Sequence, residues 1–121
     1  MPPERRVHRR FLPVETAYAA LGAEFSKVGK IYDFGLGGLS FEYLDSKITN
    51  GENYSVDIFL VDQSFHMHNI RCKVVYDVSI DDQFEVDRIL AKRRCGVEFT
   101  APSNDQRKEF EFFLAHYILL L

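Results

Sequence analysis

The feature that most constrains this chain is the alternation over residues 65–78, FHMHNIRCKVVYDV. His68, Ile70, Cys72, Val74, Tyr76 and Val78 share one apolar face, while Asn69, Arg71, Lys73 and Asp77 face the other way. A period of two held this long marks a half-buried β-strand, because successive side chains of an extended backbone point to opposite sides. Such a strand needs partners. Just upstream, Tyr54, Val56, Ile58 and Leu60 alternate with Ser55, Asp57 and Phe59, and a turn near Asp62–Ser64 joins the two runs.

Earlier in the chain, Phe25–Phe34 and Leu36–Tyr43 form the arms of another hairpin, with Gly35, Gly37 and Gly38 at its tip. Glycine suits such a tip because it reaches positive φ without a Cβ clash, and its bare N–H groups can also cradle an anion. No dinucleotide fingerprint is present: the spacing is G-x-G-G and no helical pattern follows it. Val14–Leu21 is ambiguous by period, but Gly22 and the short distance to the next run favour a strand. Asp45–Glu52 is a polar loop carrying the hairpin signal Asn50-Gly51. Phe84–Leu90 and Cys95–Thr100 read as closing strands, with Lys92–Arg94 in a charged link between them.

The helical signal comes last. Ser103 with Gln106 fits a capping box, and Phe110, Phe113, Leu114, Tyr117, Ile118 and Leu121 make one apolar stripe. These elements predict a mostly β fold: a small antiparallel barrel of six to seven strands with one C-terminal α-helix at about 103–121. A length of 121 residues suits one domain, divided into a basic N-terminal arm over 1–12 and a barrel over 13–121. The aromatic wealth, eleven Phe and six Tyr, is assigned to core filling. Phe112, Leu119 and Leu120 lie off the stripe and offer an interface, so a homodimer through the C-terminal helix is an expectation.

Charge is placed unevenly. Residues 1–10 hold four Arg against one Glu, a balance of +3, and the remainder holds 11 Lys+Arg against 17 Asp+Glu, a balance of −6. A basic arm on an acidic body points to an anionic ligand for the arm and argues against a general nucleic-acid binder. The start lacks the apolar segment of a signal peptide, and Phe110–Leu121 is too short to span a bilayer, so a cytoplasmic protein without a membrane span is expected. Cys72 and Cys95 have no redox or metal spacing. His66 and His68 share a strand face, but the sequence offers no evident third ligand, so no metal site is expected. No Ser or Cys nucleophile is accompanied by a convincing base, so no catalytic residue is expected.

Guanidinium groups pair bidentately with phosphate, stack on aromatic rings and match the O6/N7 edge of guanine. Arg6 and Arg10 stand four apart, so a compact turn would bring both to one ligand. The arm Arg6-Val7-His8-Arg9-Arg10 has the form R-x-x-x-R, and Asp33-Phe34-Gly35-Leu36-Gly37-Gly38 follows the form [D/N]-x-S-x-x-G with glycine in place of serine. Cys95-Gly96-Val97-Glu98-Phe99 then stands shortly before the helix. In this order the motifs resemble the PilZ domain, the bacterial receptor module for cyclic di-GMP.

The resemblance implies a non-catalytic receptor in which Arg6 and Arg10 grip phosphates and guanine edges. Asp33 and Gly38 would complete the pocket from the turn. Gly35 is the departure, since a missing hydroxyl costs about 1 kcal/mol, or roughly fivefold in affinity. Arg5 would serve a second guanine, giving two cyclic di-GMP molecules per chain, and ligand would draw a mobile arm onto the barrel to signal to an effector protein. The alternative is an interaction adaptor of the same fold with weakened ligand binding.

Overall fold

The computed structural model describes residues 8–22, 27–44, 53–80 and 92–119. Among these the backbone forms β1 (Ala17–Leu21), β2 (Lys27–Gly35), β3 (Gly38–Leu44), β4 (Asn53–Leu60), β5 (His66–Ser79), β6 (Lys92–Phe99) and α1 (Asn104–His116). All neighbouring strands are antiparallel, in the order β1-β2-β3-β6-β5-β4, and β4 pairs back onto β1 to close the barrel. Among the described strands, closure gives each one a partner on both sides. The loop Asp45–Glu52 and the strand expected at Phe84–Leu90 lie outside the described residues.

Inward positions of every strand meet in one core, which includes Leu21, Ile31, Leu39, Phe41, Val56, Ile58, Met67, Ile70, Val74 and Val97. The helix contributes Phe110 and Phe113, both fully buried. Phe113 lies 4.6 Å from the Phe34 ring centre, and Phe110 stacks on Phe99 at 4.7 Å. Close aromatic pairs of this kind add to the burial of their large apolar area. Phe34 thus ties the hairpin that carries the glycine turn to the terminal helix. At the helix N-terminus, Ser103 Oγ accepts from the Gln106 N–H at 3.1 Å, and Gln106 Oε1 accepts from the Ser103 N–H at 3.1 Å. The capping box is the one read from the sequence.

Four expectations are corrected. Two bulges shift the alternation of β5. Between Val56 and Ile58 of β4 the register passes from Ile70 to Met67 on β5, so Met67 is buried and His68 points out. A second shift between Val74 and Tyr76 turns Asp77 inward and leaves Val78 half exposed. A bulge adds one residue to one strand and so inverts the phase beyond it. On β4, Asp57 is almost wholly buried although its neighbours fill the core.

Lys92–Arg94 is no link but the first part of β6. Arg93 donates to Asp77 Oδ1 at 2.6 Å and Arg94 to Glu42 Oε2 at 2.6 Å, so the charges are held by carboxylates on the adjoining strands. The helix ends at His116 instead of running to 121. Beyond it, Val14 donates to the Tyr117 carbonyl and Leu119 to the Leu12 carbonyl, each at 2.8 Å. Those pairings draw the chain out of helical geometry and tie it to the root of the arm. No helix among the described residues is long and apolar enough to cross a membrane.

Candidate functional site

The tip of the β2–β3 hairpin sets the site's geometry. Gly35 pairs with Gly38 and leaves Leu36-Gly37 as a two-residue turn, which places Asp33 opposite Ser40. Ser40 is buried, and its hydroxyl donates to Asp33 Oδ1 at 2.9 Å. The same oxygen accepts from Arg10 Nη1 at 2.9 Å, a pair whose side chains are only 13% and 16% exposed. A charge-assisted bond shielded to this degree is stronger than a surface ion pair. Two residues 23 positions apart, chosen from different motifs, therefore meet.

The backbone of the arm makes that meeting possible. Phe11 and Phe34 exchange hydrogen bonds in both directions, at 2.8 and 2.9 Å, so residues beside Phe11 lie along the end of β2. A Cβ on Gly35 would come within 2.4 Å of the Arg9 carbonyl oxygen, and one on Gly38 within 2.2 Å of the Val97 carbonyl oxygen. Both glycines are required by close backbone approach, the first of them by the arm itself. The Gly38 position also lies against Arg10, whose Nη2 would stand 2.9 Å from an added Cβ. Among the described residues, the buried Nε of Arg10 has no hydrogen-bond partner.

Of the residues singled out by the sequence, Arg10, Asp33, Gly35 and Gly38 converge on one spot. Arg5 and Arg6 lie outside the described residues. The sequence reading missed Ser40, although pairing Gly35 with Gly38 across a two-residue turn counts back directly to Asp33 and Ser40. It also missed the neighbouring face, where the Arg94 guanidinium sits 3.8 Å above the ring of Tyr32 and bonds Glu42. Tyr32 is the extra residue where the β2–β3 register shifts, which turns its ring outward beside Asp33. The Glu42 hydrogen bond favours the charged form of Arg94.

A small closed antiparallel barrel, a terminal helix packed into its core and Arg10 seated against a glycine turn define the fold class of the chain. The chain belongs to the PilZ domain family, whose model matches residues 4–116. In three dimensions it is similar to the PilZ domain with c-di-GMP of YcgR from Escherichia coli, at a TM-score of 0.68 and 14% identity, over 93% of this chain and 91% of that one. It is similar to MrkH of the K. pneumonia MrkH–c-di-GMP complex, at a TM-score of 0.72 and 15% identity, over 93% of this chain and 52% of that one. A third likeness is the Bacillus subtilis inhibitor of motility MotI/DgrA, at 0.67 and 18%, over 95% of this chain and 56% of that one. The chain thus spans about half the length of the latter two proteins. No curated protein matches it.

Proposed function

We propose that this chain is a non-catalytic receptor for cyclic di-GMP, gripped between the arginine arm and the β2–β3 turn. The observation that carries the reading is the Arg10–Asp33 contact, which unites the two motif positions at 2.9 Å. Arg10 and Arg6 would hold phosphates and guanine edges, and Asp33 would accept from guanine's N1–H and N2–H. The Nε–H of Arg10, without a partner among the described residues, supports a role toward an acceptor, because a buried donor left unmatched costs about 1–3 kcal/mol that an incoming phosphate oxygen would recover. Gly35 and Gly38 keep the floor of the site low enough for the arm to lie on it. Arg5 would stack on a second guanine and raise the stoichiometry to two ligands per chain.

The arm over residues 1–12 then acts as the moving part, and its position on the barrel is what an effector protein would read. A second reading, an adaptor of the same fold with weakened ligand binding, is favoured by one feature. The Arg9 carbonyl oxygen would stand only 2.4 Å from the Cβ of a serine at position 35.

Calorimetric titration with cyclic di-GMP, with GMP and duplex DNA as controls, distinguishes the readings. Binding by the parent and its loss by several-fold to a hundredfold in Arg6→Ala and Arg10→Ala are expected. Parent-like binding in both variants would leave the arm without a role. Arg5→Leu should lower the stoichiometry from two toward one, and a parent stoichiometry of one would remove the second ligand. Sedimentation of Phe112→Ser against the parent tests the expected homodimer, which requires the parent alone to associate.

A further inference from the structure

On the outer wall of the barrel, away from the glycine turn, three side chains from β4 and β5 converge. Phe59 pairs with His66 and Ile58 with Met67, but the next described partner of β5 is Ile70, opposite Val56. Asp57 on β4 therefore faces two residues of β5, His68 and Asn69, in a bulge. Asn69 takes the left-handed backbone conformation, with φ 52°, and its N–H donates to Asp57 Oδ1 at 3.0 Å. That bond fixes the carboxylate and leaves Oδ2 toward the imidazoles. His66 Nε2 stands 2.9 Å from Oδ2, and His68 Nδ1 stands 3.3 Å from the same atom. All three ligand atoms lie within 4.8 Å of one another.

We propose that Asp57, His66 and His68 bind one divalent transition-metal ion, of which Zn2+ is the probe. The proposal is independent of the cyclic di-GMP reading. The donor set is two imidazoles and one carboxylate, which suits zinc, cobalt or nickel over the oxygen-loving magnesium and calcium. Bonds of about 2.0–2.2 Å to a common ion put tetrahedral donors roughly 3.3–3.5 Å apart. The His68–Asp57 spacing of 3.3 Å already meets that value, and the His66–Asp57 spacing of 2.9 Å needs to open by a few tenths of an ångström. His66 has room to do so, since its side chain is 40% exposed.

Further features of the cluster bear on a metal. The imidazoles stack at 3.8 Å with 24° between their planes, so each ring must turn about its side-chain bonds before both lone pairs meet one ion, and with side chains 40% and 65% exposed both have room to turn. A single ion between them and Asp57 satisfies both nitrogens and the carboxylate together. The carboxylate is only 5% exposed, and burying such a charge costs least when it is paired or coordinates a metal. His68 is 65% exposed, so the fourth coordination position opens to water or to a donor from another molecule. Phe59 packs beside His66 at 5.6 Å and Tyr18 beside Phe59 at 6.1 Å, a row of rings that supports the ligand imidazole from one side. Because Asp57 belongs to β4 and the histidines to β5, the ion would clamp the hairpin that these strands form.

The test uses the full chain without a polyhistidine tag, stripped of metal by a chelator. Titration with ZnCl2 should show one equivalent bound, and Co2+ should give the visible absorption of a low-coordinate site. His68→Ala should weaken Zn2+ at least tenfold, and His66→Ala/His68→Ala should lose the site. His116→Ala, at an exposed histidine on α1, should bind like the parent. The thermal midpoint of the parent should rise with Zn2+ in excess, since an ion bound only by the folded state stabilises it, and the double variant's should not. Absence of a saturable equivalent in the parent, or an equivalent that persists in His68→Ala at parent affinity, would overturn the proposal. His68 is exposed, so this single variant decides the matter even if the double variant fails to fold.

Discussion

Replacing Gly35 by Ser restores the hydroxyl of the family motif, yet here it should release the arm. The new Cβ would stand 2.4 Å from the Arg9 carbonyl oxygen and 3.0 Å from Arg10 Cδ, whereas real Cβ atoms essentially never approach closer than 3.0 Å. The Arg10 methylene can swing aside, but the Arg9 carbonyl is backbone and moves only with the arm. Lifting the arm sacrifices the two Phe11–Phe34 hydrogen bonds, about 0.5–1.5 kcal/mol each, and the Arg10–Asp33 bond, about 1.5–3 kcal/mol for a charged partner. Their sum, roughly 2.5–6 kcal/mol, is an upper bound, because the freed arm regains conformational entropy and water replaces the lost partners. We expect a net loss of about 1–3 kcal/mol, confined to the arm and its seat. Amide hydrogen exchange reads this directly. The Phe11 and Phe34 N–H groups should lose protection by about ten- to a hundredfold in Gly35→Ser, while amides in the β5–β6 ladder stay as in the parent. Unchanged protection of Phe11 and Phe34 would show that the turn accommodates a side chain and that the close approach has no energetic consequence.

The other expectations concern the ion pair, the cysteines and the helix cap. A double-mutant cycle on Arg10→Ala and Asp33→Ala, read by chemical denaturation, should give a coupling of about 1–2 kcal/mol; a coupling near zero would reduce the contact to a solvated pair. Asp33→Ala should also weaken cyclic di-GMP in calorimetry, and a fully competent variant would move the site elsewhere. Burial pushes the thiols of Cys72 and Cys95 from 9.0 up to about 12, with Asp77 adding to the effect at Cys95. Each raised pKa means that the folded chain holds its proton where the unfolded chain releases it. Stability from the thiols is therefore complete below about pH 9 and falls as pH climbs toward 12, by up to about 1.4 kcal/mol per pH unit for each thiol. Denaturant midpoints measured across that window should decline, and a flat profile would contradict the burial account. Ser103→Ala removes the capping box and should lower stability by about 1 kcal/mol, seen as a drop of several degrees in thermal midpoint.

Where local pattern and tertiary structure agree, the sequence was readable. Alternation identified β4 and β5, the glycine cluster placed the β2–β3 turn, and Ser103 with Gln106 located the start of α1. Periodicity failed where pairing imposed a shift. Nothing in HMHNI announces that Asn69 takes a positive φ, so His68 was placed on the inner face. Lys92–Arg94 resembled a charged link because their carboxylate partners, Asp77 and Glu42, sit on adjoining strands 16 and 52 positions away, beyond the reach of local pattern. The end of α1 is set by contacts with Leu12 and Val14, which no helical stripe records. In the site, residue identities pointed to Arg10, Asp33, Gly35 and Gly38, but the reason for Gly35 emerged only from the path of the Arg9 carbonyl. Asp57 escaped notice as a companion of His66 and His68 because its place beside them depends on cross-strand register.

The proposed receptor function requires that the arm arginines and the turn aspartate form one cyclic di-GMP site. Isothermal titration of the parent and of Arg10→Ala with cyclic di-GMP, at two salt concentrations, tests it most directly. Saturable binding by the parent that weakens with salt is expected, because charge-assisted contacts carry it, with binding at least several-fold weaker in Arg10→Ala. No heat of binding in the parent, or equal affinity in the two proteins, would contradict it.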